Sequence, residues 1–274
     1  MELCDSHCHI QLIGNSSGDP SVVELWAKGG LTDPEVVIKR AKAAFVNRFV
    51  CIGCNLQDSQ LAVEFVANRT DCWAAVGFHP HEAKYYVNNQ AAKQQLTDLV
   101  IKPRVVAIGE CGLDYHYLNS PKADQRDLLK FQIELAQKCQ LPLVFHVREA
   151  FDDFWPIFES YHDQSHPIRG VLHSFTDSPV QLKRAVSNNL FIGVNGIATF
   201  TKNALQLEAY RTIPLGYLLL ETDAPFLTPS PYRGKICEPY HVKTIAEFLA
   251  ELRGESVTTL AEATTKNVRQ LFNI

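Results

Sequence analysis

Eight short apolar runs, each followed by helix-like sequence, constrain the fold of this chain more than any other feature. They fall at residues 3–9, 48–53, 73–77, 105–110, 141–146, 169–173, 190–194 and 216–222. Several are built mostly from Val, Ile, Leu and Phe, the composition of parallel strands covered on both faces. The segments between them are amphipathic. Leu128, Phe131, Leu135 and Cys139 recur at three- and four-residue steps and predict one face of a helix. Val242, Ile245, Leu249 and Leu252 predict a second helix, and Val257, Leu260, Thr264, Val268 and Leu271 a third, with Gly254 as the stop between them. Strand followed by helix, eight times in 274 residues, predicts an α/β fold: a (β/α)8 TIM-like barrel in a single domain, residues 1–274. A doubly wound open sheet is the rival. Against it, no G-x-G-x-x-G follows the first strand and no Walker A motif is present.

Barrel active sites lie at the C-terminal ends of the strands. There "GNSSGDPS" (14–21) and "SPYRGK" (230–235) predict loops after the first and eighth strands. No apolar run reaches the roughly 18–20 residues of a membrane span, and the start of the chain does not resemble a signal peptide. The net charge of −4 supplies no basic field to draw in nucleic acid or a membrane. An anionic substrate must then be held locally, by a few Arg or Lys side chains or by metal. The eight cysteines are scattered, without the clustering of a secreted disulfide scaffold, which fits a reducing, cytoplasmic compartment. One pair, Cys51 and Cys54, forms a C-x-x-C at the end of "RFVCIGC". With no second such pair and no helix beginning between the two, they read as buried structural thiols.

Apolar runs repeatedly end in a residue that can bind metal. "VVAIGE" ends in Glu110, "LPLVFH" in His146, "RGVLH" in His173 and "YLLLETD" in Asp223, while His7 and His9 close the first run. Residues i and i+2 of a strand share a face, so His7 and His9 can reach one point. In a barrel these strand ends converge, and four imidazoles with two carboxylates would be costly to bury unpartnered, about 1–3 kcal/mol for each unsatisfied group. Divalent ions resolve the problem. Six ligands exceed one tetrahedral zinc but suit a pair of ions sharing a carboxylate and a hydroxide, with Zn, Mn, Fe or Mg as the metal. Asp5 shares the His7 face but lies deeper, and reads as a residue backing the ligands or as a polar core residue.

The segments "DSHCHI" (5–10), "GFHPHE" (77–82), "AIGECGLDY" (107–115), "FHVREA" (145–150), "LHSF" (172–175), "ETDAPFL" (221–227) and "PYRGKICEP" (231–239) follow one another as in the TatD family of metal-dependent hydrolases, which this chain resembles from residue 5 to about 240. The resemblance implies a TIM-like barrel with two divalent metal ions. Its ligands would be His7, His9, Glu110, His146, His173 and Asp223, with Glu110 between the ions. It also implies nuclease action, 3′→5′ exonuclease activity on DNA, with single-stranded 3′ ends as substrate and RNA as a second possibility. Ser6, where Thr is usual, and Ile236-Cys237 after "PYRGK" are departures that bear on the substrate rim rather than the metals.

In such a mechanism two ions lower the pKa of a shared water and polarise a phosphoryl oxygen. Asp223, with Glu110 as the other catalytic carboxylate, would orient that water and take its proton. Arg148, His79 and Arg233 are the candidate phosphate contacts. Glu221 shares the strand face of Asp223, either as its outer partner or as a carboxylate paired with a cation. Two other readings fit the same ligands: a hydrolase of esters, amides or aminoacyl-tRNA, and a metal-binding protein without catalysis. No obligate protein partner is evident.

Overall fold

A computed structural model describes residues 2–163 and 167–274. All eight apolar runs fold as strands: β1 (Leu3–Cys8), β2 (Val46–Ile52), β3 (Cys72–Val76), β4 (Val105–Asp114), β5 (Leu143–Arg148), β6 (Gly170–Leu172), β7 (Phe191–Val194) and β8 (Leu218–Leu220). The helices are α1 (Pro20–Lys28), α2 (Pro34–Ala43), α3 (Leu56–Val66), α4 (Ala83–Tyr86), α5 (Gln90–Val100), α6 (Lys122–Cys139), α7 (Phe151–Tyr161), α8 (Pro179–Ser187), α9 (Ala204–Thr212), α10 (Val242–Arg253) and α11 (Val257–Phe272). This alternation is that of a (β/α)8 TIM-like barrel, as predicted. No described helix is long and apolar enough to cross a membrane.

The chain forms two compact units, one joining residues up to Cys51 with Ser174–Ile274, the other Ile52–His173. In the first, β7 and β8 pair in parallel, from Ile192 with Leu218 to Val194 with Leu220. β1 runs beside β8 through a bridge between Cys8 and Ala224 and a 2.8 Å hydrogen bond from the Asp223 N–H to the His7 carbonyl. β2 follows on the other side of β1. Leu260, Val268 and Leu271 of α11 are buried where that helix packs on β1 and β8. Gly254 closes α10 in the left-handed conformation at φ +68, as its place between two amphipathic stretches predicts.

In the second unit β3, β4, β5 and β6 pair in parallel in that order. Phe154 of α7 meets Phe145 of β5 edge-on at 5.2 Å, with Trp155 and Phe158 buried around them. Three local features differ from the sequence-based expectation, each for a physical reason. β4 runs four residues beyond Glu110, pairing Gly112 with His146 and Asp114 with Arg148. Gly112 allows it: at φ +147 a side chain is strained, and a Cβ there would strike the His146 carbonyl. β5 begins at Leu143, since Pro142 has no N–H for the ladder, and carries Arg148 within the strand because the longer β4 pairs it with Asp114. The loop predicted over 14–21 stops at Asp19, which accepts hydrogen bonds from the N–H groups of Ser21 and Val22 and starts α1 at Pro20.

α6 buries Leu128 and Leu135 of the predicted face, but the face is shifted. Phe131 and Cys139 lie at its margin, whereas Gln125 and Gln132 are fully inside. Both amides are satisfied by backbone. Gln132 accepts from the Phe78 N–H at 2.8 Å and donates to its carbonyl at 3.0 Å. Gln125 does the same for Asp114, at 2.8 and 3.1 Å. Two glutamines thus fix the backbone where β3 and β4 end, and there the polar side chains begin.

Candidate functional site

Each unit carries a cluster of metal-competent side chains at the ends of its strands. In the first, the Nε2 atoms of His7 and His9 lie 3.5 and 3.3 Å from one oxygen, Oδ1 of Asp223. His7 belongs to β1 and His9 directly follows it, while Asp223 lies just past β8, where β1 and β8 run side by side. Asp223 sits at φ +61, a left-handed conformation that Asp tolerates better than most residues. Asp5, fully buried behind His7, accepts hydrogen bonds from the Thr222 hydroxyl, the Thr222 N–H at 2.9 Å and the His7 N–H at 3.3 Å. Burial outweighs these bonds and pushes its pKa up to about 8. Asp5 is therefore the polar core residue expected, tying β1 to the segment that delivers Asp223. Glu221, also buried, accepts the Ser174 N–H at 2.6 Å and fills the space that Gly193 leaves open.

In the second unit the focus is Oε1 of Glu110. His146 Nδ1 lies 2.8 Å from it, His79 Nε2 3.5 Å and His173 Nε2 3.8 Å. His79 Nδ1 accepts the His81 N–H at 3.2 Å, which leaves Nε2 as the nitrogen that faces Glu110. Burial holds the His79 pKa well below the usual imidazole range. At His146 burial also disfavours the charged ring, yet hydrogen bonds to Asp114 and Glu110 outweigh it and carry the pKa up to about 8. Its Nε2 lies 3.0 Å from Asp114 Oδ2, so the ring is clamped between two carboxylates. Asp114 is itself fully buried. Burial works to raise its pKa, but bonds from His146, His81 and the Tyr117 N–H hold it far below the usual carboxylate range.

These donor sets fit a divalent cation. In each unit two imidazole nitrogens and a carboxylate oxygen, from His7, His9 and Asp223 or from His79, Glu110 and His146, lie within 4.8 Å of one another. A tetrahedral zinc with ligands at about 2.1 Å holds them about 3.4 Å apart. The 3.3 and 3.5 Å separations around Asp223 are of that size. Imidazole with carboxylate suits Zn, Mn or Fe as ligand chemistry.

The six predicted ligands thus fall in two places: His7, His9 and Asp223 in one unit, Glu110, His146 and His173 in the other. His79, predicted to contact substrate, sits among the second group. Arg148 is exposed and its guanidinium lies 4.7 Å from the centre of the Tyr117 ring. Arg233 donates to the Thr228 carbonyl at 2.9 Å and stacks 4.0 Å over Phe200, so part of its fork anchors its own loop. Cys51 is buried as expected, but Cys54 is not simply a core thiol: its Sγ lies 3.8 Å from Glu110 Oε2. Sequence reasoning also missed Asp114 and His81. Asp114 stands four residues after Glu110, a spacing that shares a face only because β4 continues, and His81 is carried there by the 3-10 turn Pro80–Glu82 that follows His79.

Comparison with known proteins agrees with these motifs. The sequence model for TatD related DNases matches residues 4–273. A protein called an uncharacterized metal-dependent hydrolase, YabD of Bacillus subtilis, is 37% identical over 243 residues, covering 89% of this chain and 94% of its own. The 3′-5′ ssDNA/RNA exonuclease TatD of Escherichia coli is 34% identical over 248 residues, covering 88% and 94%. The crystal structure of YJJV, a TatD homolog from Escherichia coli, superposes with a TM-score of 0.86 at 27% identity, covering 99% of this chain and 98% of that one.

Proposed function

This chain belongs to the TatD family of metal-dependent hydrolases, and from that premise we propose that it is a deoxyribonuclease that removes nucleotides from the 3′ ends of single-stranded DNA. The observation that carries the reading is the pair of histidine–carboxylate groups at strand ends, in a family whose relatives include named single-strand exonucleases. We take two divalent ions per chain, with His7, His9, Glu110, His146, His173 and Asp223 as their ligands. Such ions, when bound, lower the pKa of an attacking water and neutralise charge on a phosphoryl oxygen.

The side chains do the rest. Asp223 Oδ orients the attacking water and accepts its proton, later returning it to the leaving oxygen. Glu110 supplies the buried negative charge that the cation needs. Arg148 pairs with no carboxylate among the described residues and is the group best placed to clamp phosphate in a bidentate way. Arg233 offers the N–H groups left over from its bond to Thr228.

The test is a side-by-side assay of 3′-labelled single-stranded DNA, RNA, aminoacyl-tRNA and simple esters. Metal-dependent shortening of DNA from the 3′ end is expected. Ester or aminoacyl hydrolysis with intact oligonucleotides would overturn the nuclease reading.

Asp114 has a supporting role in this scheme, as the carboxylate that fixes the ring of a metal-binding histidine. Such partners contribute about 10–100-fold to metal affinity. Asp114→Asn, which keeps the side chain's shape, is expected to weaken metal binding by about that factor in a chelator competition. Unchanged affinity would remove Asp114 from the site.

A further inference from the structure

An exposed aromatic ring lies against His81, whose own ring reaches Asp114 beside the Glu110 group. Tyr117, three residues beyond β4, keeps 56% of its surface in solvent. Its hydroxyl makes no hydrogen bond among the described residues, so its polarity does not explain its placement. Its ring is nonetheless held from several sides. The Arg148 guanidinium lies 4.7 Å from the ring centre. His81 meets it edge-on at 5.6 Å and His116 at 4.8 Å.

The backbone beneath is held too. Oδ1 of Asp114 accepts the N–H groups of His116 at 3.0 Å and Tyr117 at 2.9 Å, while its Oδ2 takes His146 Nε2. One carboxylate therefore sets both the His146 ring and the turn that presents Tyr117. Arg148, two residues past His146 on β5, stands between the two functions.

An exposed tyrosine fixed beside a cation, next to a phosphate-cleaving group, has the chemistry of a base-stacking surface. Every nucleobase presents a π-face, whatever its sequence, and stacking on an aromatic ring is the usual sequence-tolerant way to hold single strands. Arg148 fits both parts of a nucleotide, its charge for the phosphate and its planar face for the ring system. We propose that Tyr117, with Arg148, forms a stacking platform for a nucleobase of the single-stranded substrate. This rests on the nuclease reading and adds to it a group that recognises the base rather than the phosphate.

Steady-state kinetics on the metal-loaded enzyme test it. The substrates are a single-stranded DNA oligonucleotide and the same strand with abasic 3′-terminal nucleotides. Tyr117→Ala is expected to raise KM on the intact strand about tenfold with kcat little changed, the order of effect of losing one stacked base. Tyr117→Phe, which keeps the ring, should restore the wild-type KM. On the abasic strand the wild type should already show the raised KM, and Tyr117→Ala should add nothing to it. An unchanged KM for Tyr117→Ala on the intact strand would overturn the inference. So would an equal rise on both strands, which would mean that the ring only props Arg148. If the wild type cleaves neither strand, the nuclease reading fails and this inference with it; cleavage without the base-dependent difference sinks this inference alone.

Discussion

Glu110→Gln is expected to cost the protein the metal held at this group and to abolish measurable hydrolysis. The carboxylate is buried at 4% exposure, with three imidazole nitrogens within 3.8 Å of Oε1 and the Cys54 thiol 3.8 Å from Oε2. Gln keeps the volume and one carbonyl oxygen but removes the charge. Three imidazoles around a neutral amide cannot offset a double positive charge in a site where water is scarce and Coulomb terms are large. Metal analysis of the purified variant should show the loss directly. A second measurement does not depend on turnover. Adding metal at a hundredfold excess over its Kd should raise the melting temperature of the wild type by about 5 °C for each ion bound, and the variant should lose the share that belongs to the Glu110 group. A variant that melts, loads metal and hydrolyses like the wild type would dismiss Glu110 as a ligand.

The strands were legible because a buried parallel strand must be nearly all apolar, and eight such runs leave little choice of topology. The candidate ligands were legible for the converse reason: His146, His173 and Glu110 interrupt apolar runs that have no other use for a polar group. What stayed hidden depended on backbone that sequence does not display. "ECGLD" reads as a loop unless Gly112 is known to sit at φ +147 against the His146 carbonyl, and only that extension brings Asp114 to the His146 ring. Gln125 and Gln132 carry polar side chains, so periodicity assigns them to solvent. Their burial follows from the backbone N–H and carbonyl groups of Phe78 and Asp114, which the two amides pair. Tyr117 was passed over because an exposed aromatic in a loop has no pattern, and its meaning comes from Arg148 and His81 around it.

Asp223→Asn separates holding metal from moving protons, and its expected result is a kcat lower by about 10²–10⁴ with metal content near that of the wild type. The geometry favours this outcome. Among the three residues of its group, His7 and His9 have side chains 0% and 5% exposed, whereas Asp223 is 17% exposed. It is the member that meets solvent, and a group that accepts a proton in each turnover must also pass one on. Asn suits the left-handed backbone at φ +61 as well as Asp does, so the N–H bond to the His7 carbonyl and the placement of the side chain persist. The amide oxygen can still face the two imidazoles, but it has no basicity with which to accept a proton. Loss of rate with metal retained therefore assigns the proton to Asp223. Wild-type turnover would move that role to another group. Loss of metal together with rate would instead mean that the cation requires the charge of Asp223, as it does that of Glu110.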